Sequence, residues 1–361
     1  MHSRAAADAG PFDWVPKESA TGEAGMAASA HMDRFQRRHH WASLPIAVVY
    51  KYVDDQGSYL AALIAYYGLV SLVPVLLVST SVLGFVLQAN PDLQQRILHS
   101  ALSEFPGIGT QIRSSTGLHG SPVALVVGLV GALYGSLGAA QAMQNAMNVA
   151  WAIPRNRRPD PIRSRLRSLA LLGTAGVAAL AVTVLSALTT SVGAIGPDLG
   201  ALSTALAVLG SILLNVVIFF LAFRITTARK LTFKQMLPGA ISAAILWQLL
   251  QTFGTAYISH VIRRASVVNG TFAFVLGLIA WLYLAAIALM ISVEVNVVVA
   301  KHLYPRALLS PFTDNVDLTH GDQEAYADAA KAQQNKGFEH VDVSFDHDGQ
   351  NASAHDSQNS P

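Results

Sequence analysis

The chain has 361 residues, of which 52% are hydrophobic and only 13% are Asp, Glu, Lys or Arg, with a mean hydropathy of +0.40. Soluble domains carry roughly 25% charged residues, so most of this chain is not built to face water, and disordered, collagen-like and coiled-coil proteins are excluded. With no cysteine there is no disulfide, thiolate nucleophile or iron–sulfur cluster, and the net charge of +2 divides into −8 over residues 310–361 and +10 over the rest.

Residues 1–40 are rich in Ala, Gly and polar types and are expected to form a disordered N-terminal tail. They hold no apolar core of about 7–15 residues, so no cleavable signal peptide is expected. Residues 41–309 then read as one transmembrane domain. Its first segment, 41–53, mixes aromatic and aliphatic residues with Lys51 and is expected to lie along the cytoplasmic face as an interfacial helix. Six stretches without Asp, Glu, Lys or Arg follow: 56–91, 114–154, 168–197, 199–223, 235–262 and 265–293. A spanning helix needs about 20 mostly apolar residues to cross ~30 Å of hydrocarbon, and every stretch is longer than that. Lipid cannot satisfy backbone groups, so spans are helices or closed barrels. The alternating strands of roughly 10 residues that build a barrel are absent. The reading is all-α: a polytopic membrane helix bundle with six transmembrane helices, over 58–87, 122–150, 168–192, 199–224, 236–260 and 269–300.

Local signals mark several ends. Asn90-Pro91 is expected to open a short helix outside the membrane, with Leu93, Ile97, Ala101 and Phe105 on one side. Ser121 and Pro122 fit an N-cap and first-turn proline. Gly196-Pro197-Asp198 reads as a tight turn, and Thr232 with Gln235 as a capping box. The N-terminal flank, the second and fourth loops and the C-terminal flank together hold fifteen Lys and Arg, against four in the remaining loops. The positive-inside rule then places both termini in the cytoplasm. Residues 310–361 are acidic and polar, and are expected to be a disordered C-terminal tail.

Four segments resemble one family in order and spacing. They are LAALIAYYGLVSLVPVLL in the first span, LYGSLGAAQAMQNAMNVAWAIPRNRRP from the second into its loop, LTFKQMLPGAISAAILW at the fifth, and NGTFAFVLGLIAWLYLAAIALMISVEVN in the sixth. Together they resemble the YihY/virulence factor BrkB family, over roughly residues 41–305. Val268-Asn269-Gly270 and Ser292-Val293 depart from the family's usual Tyr-Gly and Gly-Ala steps. The resemblance implies a six-helix protein of the bacterial cytoplasmic (inner) membrane. It also brings an inherited ribonuclease BN label, and a transporter-like role that is often suggested for the family.

Within the spans, Pro74 removes a backbone hydrogen bond and crowds the Val70 carbonyl. It reads either as a kink bordering a cavity or as a static packing kink. Gly128, Gly131, Gly135 and Gly138 share one helix face and read as a helix-packing seam, with a GxxxG pair at Gly131 and Gly135. Below them come Gln141, Gln144, Asn145 and Asn148. Gln141, Asn145 and Asn148 are spaced i, i+4, i+7 and are expected to point into the bundle, as a polar lining or as an interhelical hydrogen-bond network. Asn215, Gln248 and Gln251 add further amides that could face the same centre.

Glu294 is the one acid inside a predicted span, and intramembrane acids are functional candidates. It lies about 37 Å along the last span, close to the cytoplasmic interface where a carboxylate can reach water. With Asn296 it matches the family's Glu-x-Asn. A coupling or gating role stands beside a structural role as partner of a loop arginine. Arg155, Arg157 and Arg158 fit topology and anionic lipid headgroups.

The sequence has no Walker A loop, HExxH or GxSxG, and its histidines form no metal-ligand spacing. No catalytic residue, cofactor or metal is expected. Expected partners are membrane lipids and an unidentified solute, with a homo-oligomer left open and nucleic acid not expected. The functional reading is a transporter-like protein of unknown substrate. The alternative is a non-transporting scaffold for envelope integrity, and an enzyme is not expected.

Overall fold

The computed structural model describes residues 40–86, 122–193, 200–262, 267–308 and 318–345. Among these residues the fold is all-helical, with eight α-helices and no strand. They are α1 (His40–Asp54), α2 (Gly57–Val86), α3 (Pro122–Ala150), α4 (Pro161–Gly193), α5 (Gly200–Thr226), α6 (Phe233–Ile262), α7 (Val267–Lys301) and α8 (His320–Ala332). Five of them (α2, α3, α5, α6 and α7) are long and apolar enough to cross a membrane. The expected helix at Asn90-Pro91, the turn at Gly196-Pro197-Asp198 and the N-terminal tail up to residue 39 lie outside the described residues.

The six long helices match the predicted spans closely at most ends. The largest difference is at α4, expected over 168–192 but starting at Pro161. Arg163, Arg165 and Arg167, expected in a loop, therefore sit on its first two turns. Proline at the first helical position leaves no amide to satisfy, and arginine is a good helix former that can extend its head to the interface. At α6 the Gln235 side chain accepts from the Thr232 amide at 3.0 Å, one half of the expected capping box, while the Gln235 amide donates to the Thr232 carbonyl at 3.1 Å.

The long helices form a closed ring in chain order. Each packs on the next, from α2 to α7, and α7 returns to α2. The tightly packed core lies at one end of the ring. It comprises the last turns of α3 (Met143, Met147, Ala150), Phe223 near the end of α5, the start of α6 (Met236, Ala243), and the last turns of α7 (Val293, Val297, Val298). That is the end where the Lys- and Arg-rich segments emerge. Many of the buried residues are alanine (Ala61, Ala140, Ala146, Ala240, Ala244, Ala286). Helices in lipid associate by close packing rather than by hydrophobic exclusion, which favours small residues. Toward the other end, Val126, Val130, Leu209, Leu213 and Leu276 face outward, the arrangement expected of a lipid-exposed belt.

Two segments correct the sequence reading. Residues 41–53 are helical, but Ser43, Ala47, Val48 and Lys51 are buried, and α1 packs on α7 and α2. It is part of the bundle and not only a surface helix. The tail beyond residue 310, expected to be disordered, contains α8. Thr319 and Asp322 form a reciprocal capping box at its start, and its alanine-rich sequence favours helix. Residues 346–361 lie outside the described residues.

Candidate functional site

The connection between α1 and α2 is two residues long, Asp55 and Gln56. Gln56 adopts a left-handed φ of 54°, and the Asp55 amide donates to the Lys51 carbonyl at 3.0 Å. This turn holds Asp55 one helical turn from Lys51. Lys51 Nζ forms an ion pair with Asp55 Oδ2, and their side chains are only 6% and 9% exposed.

Glu294 of α7 meets this pair. It is fully buried, and neither carboxylate oxygen accepts a hydrogen bond from a neighbour. The charges that act on it belong to Lys51, Asp55 and Asp54. Burial lowers the Lys51 ammonium, but Glu294, Asp55 and Asp54 outweigh burial and hold it above its ordinary value. Burial pushes the Asp55 carboxyl above the usual carboxylate range against the pull of Lys51. Tyr52 is raised by burial and by Tyr283 and Glu294. The sequence reading put Glu294 near water, with a loop arginine as one alternative partner. In the structure it is sealed under α1, and its cation is Lys51.

Asn296, two residues on, is also buried, and its Oδ1 accepts from the Gly239 amide of α6 at 2.6 Å. Pro238 precedes that amide inside the helix. A side chain at residue 239 would collide with Asn296 and with the Ser292 carbonyl. The Pro-Gly of α6 and the Asn of α7 are thus two halves of one contact.

The amides of α3 divide in two. Gln144 is buried, donates to Ser168 Oγ at 2.8 Å and to the Ser164 carbonyl at 3.1 Å, and accepts from Ser164 Oγ at 3.1 Å. Gln141 is exposed, so the expected inward face of Gln141, Asn145 and Asn148 holds only for the last two. Asn145 is half-buried and accepts from Arg158 Nη1 at 3.4 Å. Asn148 is buried, and its Oδ1 has no hydrogen bond. Gln144 takes the inward role because α4 offers two serines one helical turn apart. Asn215 on α5 and Gln248 and Gln251 on α6 are half-buried. The two glutamines lie about 14 and 18 Å along α6 from Gly239, away from the Glu294 end.

The four glycines of α3 pack against α2. A Cβ at Gly128 would meet Leu77 at 3.1 Å, one at Gly131 the Pro74 ring at 2.9 Å, and one at Gly135 the Ser71 Cα at 2.6 Å. A Cβ at Gly138 would run into the Tyr67 ring. Pro74 therefore sits in the seam itself. The Ser71 hydroxyl donates to the Gly68 carbonyl at 2.8 Å, not to the Val70 carbonyl that Pro74 crowds.

Arg155 and Arg157 are exposed. Arg158 is half-buried, donates to the Ile153 carbonyl at 3.2 Å, and is lowered by burial and by Arg155. A second buried ion network was not foreseen. Arg306 is fully buried, donates from Nε to Asp322 Oδ1 at 2.5 Å, and reaches Asp54 Oδ2 at 2.8 Å. Asp322 also accepts from the amides of Ala307 at 2.8 Å and Thr319 at 3.0 Å. Lys301 pairs with Asp328 at 2.6 Å. These contacts fix α8 over the end of α7, next to Asp54 and so beside the Lys51–Asp55–Glu294 group. The Thr319-x-x-Asp322 spacing was the available signal. Among the described residues, no three His, Asp or Glu gather to hold a metal.

The family description "Virulence factor BrkB" matches residues 48–314, a stretch that contains all of these groups but Thr319, Asp322 and Asp328. The chain is 24% identical to the ribonuclease-like protein YfkH of Bacillus subtilis over 70% of this chain and 93% of that one. It is also 24% identical to the inner membrane protein YhjD of Escherichia coli, over 76% of this chain and 86% of that one. A UPF0761 membrane protein of Psychrobacter is 23% identical over 78% of this chain and 54% of its own. No solved structure matches the chain. With apolar helices long enough to cross a bilayer and the family match spanning most of its length, this chain belongs to the virulence factor BrkB family of membrane proteins.

Proposed function

We propose that the protein is a permease-like protein of the bacterial inner membrane, with six spans, both termini cytoplasmic, and its working polar groups in the cytoplasmic half. The observation that carries this is Glu294, fully buried with neither oxygen hydrogen-bonded. A carboxylate without donors at such a site costs several kcal/mol, whereas a purely structural role would be met by an amide or an apolar residue. Asn148, Asn215, Gln248 and Gln251 give polar steps from that site toward the middle of the bundle. The Pro74 seam gives two closely packed helices that can move as a unit, while the exposed Arg155 and Arg157 face anionic headgroups and Arg158 holds Asn145. The inner-membrane name of the Escherichia coli relative supports the location.

The test is solute flux into proteoliposomes across a panel of small ions, amino acids and metabolites, comparing the native protein with Glu294→Gln and Asn145→Leu. Flux reduced at least tenfold by Glu294→Gln supports the proposal. Flux absent for every solute leaves the scaffold reading. The ribonuclease-like name of the Bacillus relative calls for a parallel incubation with tRNA, in which we expect no cleavage. The chain has no cysteine, so single cysteines introduced near residues 40, 115, 160, 196, 229, 264 and 340 test the topology directly with a membrane-impermeant thiol reagent.

A further inference from the structure

We propose that Glu294 and Asp55, held against Lys51, form a proton-binding site that takes up a single proton between the two carboxyls. The assignment deepens the permease reading by naming the coupling ion, and it rests on geometry. Lys51 and Asp55 are ion-paired out of water. Glu294 is fully buried with both oxygens unpartnered, and Lys51 and Asp55 are the nearest charges acting on it, so the group has two negative charges and one positive. One proton added to a carboxylate gives a carboxylic acid hydrogen-bonded to its neighbour. It makes the group neutral and supplies the donor that Glu294 lacks. No bond between heavy atoms forms or breaks, and the proton leaves by the reverse step.

Other ligands fit less well. A metal cation wants several oxygens, and the Lys51 ammonium already holds the cationic place. An anion would face two carboxylates. Each element packed against α7 contributes differently. α1 and its turn bring Lys51, Asp54 and Asp55, with Tyr52 also in reach of Glu294, while Tyr283 of α7 acts on Tyr52. α2 and α3 also pack on α7 and bring the apolar Ala61, Ala65 and Ala146. α6 brings the Gly239 amide, which Asn296 occupies. Asp54 is engaged by Arg306, which leaves Asp55, whose Oδ2 pairs with Lys51, as the acid to share a proton with Glu294. Two carboxyls at close quarters in a dry site do not both stay ionised.

The experiment is pH-titrated infrared difference spectroscopy of the full chain in lipid nanodiscs, reading the carbonyl stretch of protonated carboxylic acids. The native protein is expected to show a band that titrates reversibly with pH. That band should shift on isotopic labelling of glutamate or of aspartate, should vanish in Glu294→Gln, and should move to higher pH in Lys51→Met. The glutamate label needs no variant, so it stands even if Glu294→Gln does not fold. No titrating band, or a band indifferent to both labels, overturns the assignment. Flux measured in parallel separates the two ideas. Solute flux unaffected by an imposed pH gradient, with no such band, overturns the proton site and leaves the permease. A titrating band without flux for any solute keeps the proton site and removes the permease.

Discussion

Arg306 and Asp322 are both fully buried, and Arg306, five residues beyond the end of α7, donates to Asp322 in the first turn of α8 at 2.5 Å. Removing one partner of a buried ion pair typically costs about 3–5 kcal/mol, because the other charge is stranded. Asp322 also accepts from two backbone amides and from the Thr319 hydroxyl, so Asp322→Ala strips four donors of their acceptor at once. We expect this variant to release α8 while the spans stay assembled. Trypsin should then cut at Lys331 and Lys336 much faster than in the native chain, with the membrane core still intact on a gel. Unchanged cleavage kinetics would show that α8 is held mainly by other contacts.

The glycine seam makes a second expectation. At Gly135 a Cβ would lie 2.6 Å from Ser71 Cα and 2.7 Å from its amide nitrogen, both backbone atoms that cannot rotate away. Gly135→Ala should therefore lower the melting temperature in nanodiscs sharply. At Gly173, Gly210 and Gly277 nothing lies within 4 Å, so alanine there should be neutral or stabilising by up to ~1 kcal/mol through helix propensity. Equal melting temperatures for all four variants would contradict the seam.

The bilayer's thickness made the spans legible, since stretches free of charge can only be as long as they are here if they avoid water. Spacing alone revealed the glycine face, because every third or fourth residue returns to the same side. Glu294 and Asn296 were legible as residues but not by their surroundings. Lys51, Asp55 and Gly239 reach them from other helices, and no local pattern records that. Gln141 was misplaced for a related reason: its helical angle is close to that of Asn145, but the serines that could satisfy an amide stand opposite Gln144. Helix α8 was missed because a polar acidic segment reads as disorder until its partners are known. Those partners, Arg306 and Lys301, lie outside it.

Asn296 and Gly239 separate a hydrogen bond from a close approach. An interhelical hydrogen bond in a membrane is worth about 0.6 kcal/mol on average, so Asn296→Ala should be mild. Gly239→Ala pushes a methyl group into Asn296 and the Ser292 carbonyl, and overpacking of this kind typically costs ~1–3 kcal/mol. The double variant should be more stable than Gly239→Ala alone, because the first change makes room for the second. Thermal unfolding of the three variants measures this, and strict additivity would argue against direct contact.

Lys51 gives the pH expectation. Its ammonium is held above its ordinary value of 10.5, so its stabilising effect is present at neutral pH and is lost only as pH rises past that value. Asp55 is raised above its ordinary 3.8. A raised carboxyl stabilises the fold most when protonated, and that stability falls away as pH climbs through the raised value. Both groups therefore favour the acid side, the opposite of an exposed salt bridge. Lys51→Met should cost ~3–5 kcal/mol near pH 8, where the carboxylates are left unpaired, and less as the pH is lowered and protons replace the lost cation. Adding Asp55→Asn should restore much of the loss near pH 8. Melting curves across that range for the native chain, Lys51→Met and the double variant provide the measurement, and a pH-independent loss in Lys51→Met would mean that its aliphatic stem, not its charge, is what the fold requires.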